Sequence, residues 1–173
     1  MLNHYGGLYK SLIGDIGIMI YKDRIVNIEL FAKDAKPLHS IETYKNLKEN
    51  PISKQTIKAL TLYLSSKIPL DMQHKSNISL QLFLNGSVFQ KDVWNALLRI
   101  PYGETRSYKD IAKEIGKPNA MRSVGSACKK NPILFFIPCH RVINSNGNMG
   151  GYRAGLDIKK HLLMLETGVK FTI

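Results

Sequence analysis

The sequence predicts a protein in two parts, a small α/β domain over residues 1–85 followed by a mostly α domain with a helix-turn-helix over residues 86–173. Apolar stretches separated by turn residues dominate the beginning of the chain. The segment Asn85–Ser87, with its central glycine, interrupts that pattern, and capped helical patterns follow it. With 173 residues, 44% hydrophobic and 22% charged, the chain has the composition of ordinary globular domains.

The first part begins with apolar runs of the kind that form antiparallel strands. The stretch GGLYKSLIGDIGIMIYKDRIVNIELF, residues 6–31, is interrupted at Gly14-Asp15 and again at Lys22-Asp23. Such pairs favour tight turns, so we expect two or three strands joined by hairpins.

A helix and a further strand are predicted to complete this part. Residues 41–66 have helical character, and Ser53 is expected to cap a helix. Its apolar positions follow helical spacing: Ile57, Leu60, Leu64 and Ile68. The segment ISLQLFLN, residues 78–85, alternates as a strand does.

The second part contains a series of capped helices. Ser87 and Gln90 have capping-box spacing before VFQKDVWNALLRI, and Pro101-Tyr102-Gly103 ends that helix. Ser107 through Asp110 repeats the cap pattern before YKDIAKEI, and Gly116 suits the end of this second helix. A last helix is predicted from about Asp157 to Thr167, ended by Gly168.

Two of these helices form a helix-turn-helix candidate. Asn119 is expected to cap the helix AMRSVGSACKK, which the segment GKPN joins to the helix before it. The second helix carries Arg122, Lys129 and Lys130 among small residues: Ala120, Ser123, Gly125, Ser126 and Ala127. A helix with few bulky side chains can lie close to a nucleic-acid groove, but small residues also permit close packing against another helix.

The net charge of +12 indicates a polyanionic partner, because phosphate contacts dominate the affinity of proteins for nucleic acids. Residues 86–173 carry 14 basic and 6 acidic side chains, a surplus of eight, so this half is the better place for that partner. The alternative is a basic protein without a polyanionic partner.

The sequence has no apolar run long enough to span a bilayer, and its first ten residues do not resemble a signal peptide. We therefore expect a soluble, intracellular protein.

The sequence contains two cysteines, Cys128 and Cys139, too few for a disulfide framework or a zinc site built mainly from thiolates, so no metal is predicted. Cys139 follows ILFFIP and directly precedes His140 and Arg141. It could be a buried, inert thiol or a nucleophile. Neighbouring side chains point in different directions, so proton transfer from Cys139 to His140 would need a turn or a bridging water. Polar groups buried beside a thiol favour a reactive site.

Two longer segments carry a resemblance to a known family. NPILFFIPCHRVINSNGNMGGYRAGLDIKKHLLMLE, residues 131–166, resembles the active-site segment of the O6-alkylguanine-DNA alkyltransferases, or methylated-DNA–protein-cysteine methyltransferases. VFQKDVWNALLRIPYGETRSYKDIAKEIGKPNAMRSVGSACKKNP resembles their helix-turn-helix portion. The resemblance is close over residues 86–168 and rests on size, order and α/β pattern over residues 1–85. It implies a small ribonuclease-H-like sheet with helices, followed by the DNA-binding and active-site domain.

The resemblance implies direct-reversal DNA repair without a cofactor. The alkyl group of O6-alkylguanine, with O4-alkylthymine as a further candidate substrate, is transferred irreversibly to Cys139, and each molecule acts once. The implied proton path runs from Cys139 through a water to His140 and Glu166. Asn131 corresponds to the asparagine that supports the active-site turn.

The resemblance also implies how the DNA is held. Arg122 would take the space of the flipped nucleotide, and Tyr108 would lie beside the guanine. The backbone carbonyls of Cys139 and Val142 would read its exocyclic amine. The remaining implied contacts come from Tyr152 and Arg153 on a loop over the pocket and from Ser126 and Lys129 on the recognition helix. The expected partner is double-stranded DNA that contains O6-alkylguanine, and no membrane. The protein is expected to be monomeric and cytoplasmic, nucleoid-associated in a prokaryote.

This sequence departs from the family at two positions. Ala154 stands where many members have glycine or a bulky residue, and Cys128 in the recognition helix is not a general family feature and is best explained as a packing residue. Without a cysteine before Cys128, the first part has no thiolate for the zinc site that some members carry there.

Two other functions are compatible with DNA binding. One is a relative that recognises alkylated DNA without reacting, but such relatives lack the cysteine that stands here at 139. The other is a regulator that uses the helix-turn-helix alone. That role would leave Asn131, His140 and Glu166 unexplained as a set.

Overall fold

Residues 4–65 and 80–168 are described by the computed structural model. The strands are β1 His4–Ser11, β2 Gly14–Tyr21, β3 Arg24–Phe31, β4 Arg106–Ser107 and β5 Val142–Ile143, and the helices are α1 Glu42–Lys45, α2 Pro51–Leu64, α3 Val88–Leu98, α4 Tyr108–Glu114, α5 Met121–Lys129 and α6 Leu156–Thr167. No helix within these residues has the length and apolar character needed to cross a membrane.

The first three strands form one antiparallel sheet in the order β1-β2-β3, as the sequence predicts. Lys22 and Asp23 form the second turn with positive φ angles of 46° and 59°. The first turn was predicted wrongly, because Leu12 and Ile13 form it and Gly14-Asp15 begins β2 instead. Gly14 is required there for another reason. Its φ is 132°, and a Cβ would lie 2.6 Å from the carbonyl oxygen of Phe31 on β3.

The predicted helix over residues 41–66 is divided into α1 and α2 by residues 46–50, which are not helical. Asn50 precedes Pro51, and its ψ of 171° keeps it out of the helical region, as expected before proline. The true N-cap of α2 is therefore Asn50, and the prediction of Ser53 was wrong. Ser53 is the third residue of the helix and returns the capping hydrogen bond to the backbone of Asn50. Ile68 lies outside the described residues.

The predicted strand over residues 78–85 is reduced to a single bridge in its described portion. Leu82 pairs with Ile25 of β3, through hydrogen bonds from Ile25 N to Gln81 O and from Phe83 N to Ile25 O, both 2.8 Å. Its backbone pairs with β3 at this one residue, so no continuous ladder forms. Residues 78 and 79 lie outside the described residues.

The helical second part follows the predicted caps with one exception. Capping boxes at Ser87 and Ser107 begin α3 and α4, and Gly168 ends α6 in the left-handed conformation. Asn119 does not cap α5. The turn before α5 closes with a backbone hydrogen bond of 2.9 Å from Ala120 N to Lys117 O, so Ala120 becomes the N-cap residue.

The two parts share one hydrophobic core, and the chain before Cys139 is tied to the first sheet. Ile28 of β3 forms a parallel bridge with Ile133. Its N–H donates to Pro132 O at 2.9 Å, and its carbonyl accepts from Leu134 N at 3.2 Å. The sheet thereby fixes the segment that leads to Cys139.

Candidate active site

Residues 131–139 form a compact loop, the Cys139 turn, which positions the thiol. The buried Phe135 adopts a positive φ of 71°, a conformation that costs a bulky residue about 1–3 kcal/mol. The Asn131 side chain holds this turn closed, donating to Ile137 O at 2.8 Å and accepting from Ile133 N at 2.9 Å. The same amide nitrogen lies 3.0 Å from the sulfur of Cys139. One asparagine therefore supports the strained turn and contacts the thiol.

Cys139 begins a short 3-10 helix, Cys139–Arg141, and is only 3% exposed. Burial raises the pKa of its thiol, and the hydrogen bond from Asn131 offsets part of that effect. The positive charges of Arg153 and Lys159 also act to lower it. The net shift is upward, so Cys139 is a protonated thiol at neutral pH and needs a base before it can react.

His140 is fully buried and has the two ring nitrogens in different surroundings. Its Nε2 lies 2.8 Å from Glu166 Oε1, so Nε2 carries the proton and donates it to the carboxylate. Within the described residues, Nδ1 has no hydrogen-bond partner. Burial lowers the pKa of His140 more than Glu166 raises it. The ring is therefore neutral and has a free lone pair on Nδ1 that can accept a proton.

Glu166 of α6 is ionised although it is buried. Burial would raise its pKa, but His140 and Arg141 outweigh this and lower it to about 2. Arg141 donates from Nε to Oε2 at 2.7 Å and from Nη2 to Oε1 at 3.1 Å. The hydroxyl of Tyr63 on α2 donates to Oε1 at 2.6 Å. The carboxylate is thus held by donors from two elements, the 3-10 helix and α2.

A second buried ion pair lies on the other side of the Cys139 turn. Arg153 pairs with Glu29 of β3 and donates to Asn131 O at 2.8 Å. Glu29 also accepts from the backbone N–H of Leu38 at 3.1 Å and lies 3.2 Å from His39 Nδ1. The guanidinium of Arg153, which the sequence suggested for DNA contact, is therefore directed into the protein.

Lys159 of α6 fixes the chain that follows the 3-10 helix. Its buried ammonium donates to Val142 O at 2.6 Å and to Met149 O. Burial lowers its pKa to about 8, although the neighbouring Cys139 and Cys128 thiols act in the opposite direction. The Val142 carbonyl, suggested as a reader of the guanine amine, thus already accepts one hydrogen bond and keeps one lone pair.

A cavity of about 50 Å³ opens beside the thiol. Its lining includes Cys139, Cys128, Lys129, Tyr108, Tyr152 and Arg153. A wider cleft of about 340 Å³ shares Tyr108 with it and is lined by Arg122. Ser126 is exposed on α5 and lines neither space. Gly150 has a φ of 63°, and a Cβ there would lie 3.0 Å from the Tyr108 hydroxyl, so glycine lets this loop approach the tyrosine.

Sequence reasoning brought together Cys139, His140, Glu166 and Asn131, and the structure places all four side chains around one turn. It missed the site contacts made by Tyr63, Glu29, Arg141 and Lys159. Arg141 and Glu29 are charged residues inside otherwise apolar stretches, which is a usable signal for a buried functional charge. Tyr63 and Lys159 carry no such signal, because a tyrosine on a helix is usually explained by packing and a lysine next to Lys160 and His161 by a solvated face.

Sequence comparisons find relatives that cover most of this chain. Residues 88–168 match the family model described as "6-O-methylguanine DNA methyltransferase, DNA binding domain". The methylated-DNA–protein-cysteine methyltransferase of Methanosarcina acetivorans is 38% identical over 94% of this chain and 97% of its own length. That of Methanosarcina barkeri is 50% identical over 65% of this chain and 67% of its own length.

Solved structures extend the likeness to the whole fold. Mycobacterium tuberculosis O6-methylguanine methyltransferase superimposes with a TM-score of 0.78 at 33% identity, covering 95% of this chain and 93% of that one. Mycobacterium tuberculosis OGT in complex with DNA gives 0.77 at 32% identity, covering 95% and 92%. The fold and site define a DNA alkyltransferase with a cysteine acceptor. The chain belongs to the methylated-DNA–protein-cysteine methyltransferase family.

Proposed function

We propose that this protein repairs DNA by transferring the alkyl group of O6-alkylguanine to Cys139 in a single, irreversible turnover. The observation that carries the proposal is the buried Cys139 thiol next to a neutral His140 whose Nδ1 is free to accept a proton. Family membership supplies the reaction class. The product is a thioether, and thioethers are not hydrolysed under cellular conditions, so each molecule acts once.

The reaction begins with a proton transfer and ends with an alkyl transfer. The thiol proton passes through a bridging water to His140 Nδ1, and Glu166 stabilises the resulting imidazolium. The thiolate attacks the alkyl carbon, a sulfur–carbon bond forms, and the bond from that carbon to O6 breaks. The electron pair leaves with the guanine, which takes up a proton. Arg153 and Lys159 lower the pKa of the thiol, so their charges favour the thiolate as it forms.

DNA engagement is assigned to residues 86–173, with α4 and α5 as the helix-turn-helix. Arg122 is exposed on α5 at the wide cleft and suits the space left by a flipped nucleotide. Lys129 supplies positive charge at the mouth of the small cavity. In this proposal a ribonuclease-H-like first domain over residues 1–85 supports the site from behind, and the protein acts as a monomer on double-stranded DNA, in the cytoplasm and nucleoid of a prokaryotic cell.

The substrate base would occupy the region where cavity and cleft meet. The cavity of about 50 Å³ beside the thiol is small, and the wider cleft that shares Tyr108 with it provides the additional space. Tyr108 lies at the boundary of both spaces, where its hydroxyl can donate a hydrogen bond to the leaving guanine. Burial, and then the nearby Cys128 and Cys139, raise the pKa of this tyrosine, so the hydroxyl keeps its proton.

Intact-mass measurement after incubation with an O6-methylguanine duplex tests the proposal. We expect the protein to gain one methyl group, mapped to the peptide that contains Cys139. The Cys139→Ala variant should gain none and still bind the duplex, because the thiol is the acceptor and not a phosphate contact. The matched control is Cys128→Ala, which should be methylated like the parent. Methylation of Cys139→Ala, or of Cys128 in the parent, would contradict the assignment.

A further inference from the structure

The side chain of Tyr63 reaches from the first part of the chain into the proton path. It lies on α2, is 1% exposed, and donates its hydroxyl proton to Glu166 Oε1 at 2.6 Å. The same hydroxyl oxygen is 3.4 Å from His140 Nε2. Three groups therefore meet at one carboxylate oxygen: the Tyr63 hydroxyl, the His140 ring and the Nη2 of Arg141.

We infer that Tyr63 is a positioning residue for alkyl transfer, which fixes Glu166 and limits its pull on the imidazole proton, so that His140 stays neutral and Nδ1 stays free for the thiol proton. The inference rests on the proposed function and assigns a part of its machinery to the first half of the chain. Tyr63 touches neither the substrate nor the sulfur, so it acts only through Glu166 and His140.

The direction of the Tyr63 hydrogen bond follows from the protonation states. The pKa of Glu166 is lowered to about 2, so the carboxylate can only accept. Burial, followed by the charge of Glu166, raises the pKa of Tyr63 well above its ordinary value, so the hydroxyl stays protonated and donates. Glu166 Oε1 then shares its negative charge between this hydroxyl and His140. Sharing weakens the pull of the carboxylate on the imidazole proton.

His140 must stay neutral for the transfer, and the groups around it act on its pKa in opposite directions. The titratable or charged groups that face it come from every neighbouring element: Tyr63 on α2, Cys139 and Arg141 on its own 3-10 helix, Tyr152 on the loop, and Lys159 and Glu166 on α6. Among them Glu166 favours the protonated ring. Removing the Tyr63 hydroxyl leaves Glu166 a stronger acceptor, and the pKa of His140 rises.

The variant Tyr63→Phe removes the hydroxyl and keeps the ring. A protonated Nδ1 cannot accept the thiol proton, so the transfer rate falls as the pH drops through the pKa of His140. With Tyr63→Phe we expect this acid limb to move to higher pH by about one unit, so that the rate falls roughly tenfold at pH values on the limb and changes less above it. The measurement is the single-turnover rate with an O6-methylguanine duplex and with free O6-benzylguanine over a range of pH.

The matched control is Tyr9→Phe. Tyr9 is a half-buried tyrosine of the same sheet-and-helix layer, and it donates to Ser53 on α2 at 3.1 Å, away from Glu166. It should leave the pH profile unchanged. An unshifted acid limb in Tyr63→Phe would overturn the inference. If Tyr63→Phe does not fold, site-specific 3-fluorotyrosine at position 63 replaces it. Its hydroxyl is a stronger donor, so the acid limb should move to lower pH, and an unmoved limb is the contradicting result.

Nitrogen-15 NMR of the His140 ring separates this inference from the proposed function. The parent should show the Nε2–H tautomer and a depressed titration midpoint. Tyr63→Phe should raise the midpoint, so the doubly protonated ring persists to higher pH, while the neutral ring keeps the Nε2–H tautomer. These signals need no alkyl transfer, so they are informative even if Cys139 accepts no alkyl group, the outcome that would refute the proposed function. Identical spectra for both proteins would refute the role of Tyr63 and leave the proposed function intact.

Discussion

At the scale of single residues, the reacting groups of the site, a thiol and an imidazole, are uncharged in the resting protein. Burial raises the pKa of Cys139 and lowers that of His140, so thiol and imidazole are both uncharged before substrate arrives. Many cysteine nucleophiles are instead kept as thiolates by nearby positive charge. A neutral thiol reacts poorly with stray electrophiles and oxidants. This suits a protein that can be used only once.

Asn131→Ala should weaken both the fold and the reaction. The Asn131 side chain satisfies two buried backbone groups, Ile133 N and Ile137 O, and it holds a turn that contains a residue with positive φ. Leaving these groups unpaired should lower the free energy of unfolding by about 3 kcal/mol. Urea denaturation measures this loss, and the alkyl-transfer rate of the folded variant should also fall.

A matched control is Asn146→Ala, which removes an exposed asparagine that accepts from Asn148 N at 3.1 Å. Its unfolding free energy should change by less than about 0.5 kcal/mol. If Asn131→Ala were as stable as this control, the asparagine would not be what holds the Cys139 turn closed.

At the scale of elements, the parts that could be predicted are those governed by local sequence. The caps at Ser87 and Ser107 were predictable because donor and acceptor lie three residues apart. The start of α2 differs from the prediction because Pro51 keeps Asn50 out of the helical region, so that Asn50 and not Ser53 is the cap. The contact of Tyr63 with Glu166 could not be predicted, since 103 residues separate the two and only tertiary packing brings them together.

The helix α5 is the element that the proposal places against DNA. Its buried side consists of Val124, Ala127 and Cys128, while Arg122 is exposed. Arg122→Ala should slow repair of duplex DNA by about 10- to 100-fold, because the vacated position in the base stack is no longer filled. The reaction with free O6-benzylguanine should be nearly unaffected, since no base is flipped. Paired single-turnover rates on the two substrates measure the difference.

Lys130→Ala is the control for Arg122→Ala. Lys130 is exposed at the end of α5 and lines neither the cavity nor the cleft, so this variant removes one positive charge and leaves the flipping position intact. It should slow duplex repair only slightly. Equal losses on both substrates in Arg122→Ala would mean that this arginine supports the site in another way.

At the scale of the whole molecule, the two parts depend on each other through buried polar contacts. The first part supplies Tyr63 to Glu166 and Glu29 to Arg153. The backbone bridge from Ile28 to Ile133 joins the sheet to the Cys139 turn. These contacts predict that the two parts unfold together in one transition.

Glu29→Gln tests that dependence. Both charges of the Glu29–Arg153 pair are buried, so removing one leaves the other without compensation, which should cost about 3–5 kcal/mol. Because Arg153 also donates to Asn131 O, the alkyl-transfer rate should fall with the stability. Urea unfolding followed by fluorescence and circular dichroism measures both the loss and the number of transitions.

The control is Asp15→Asn, which breaks the pair with Lys10 on the protein surface and should cost less than about 1 kcal/mol. A similar small loss in Glu29→Gln, or two separate transitions in the parent, would show that the first part supports the site only weakly.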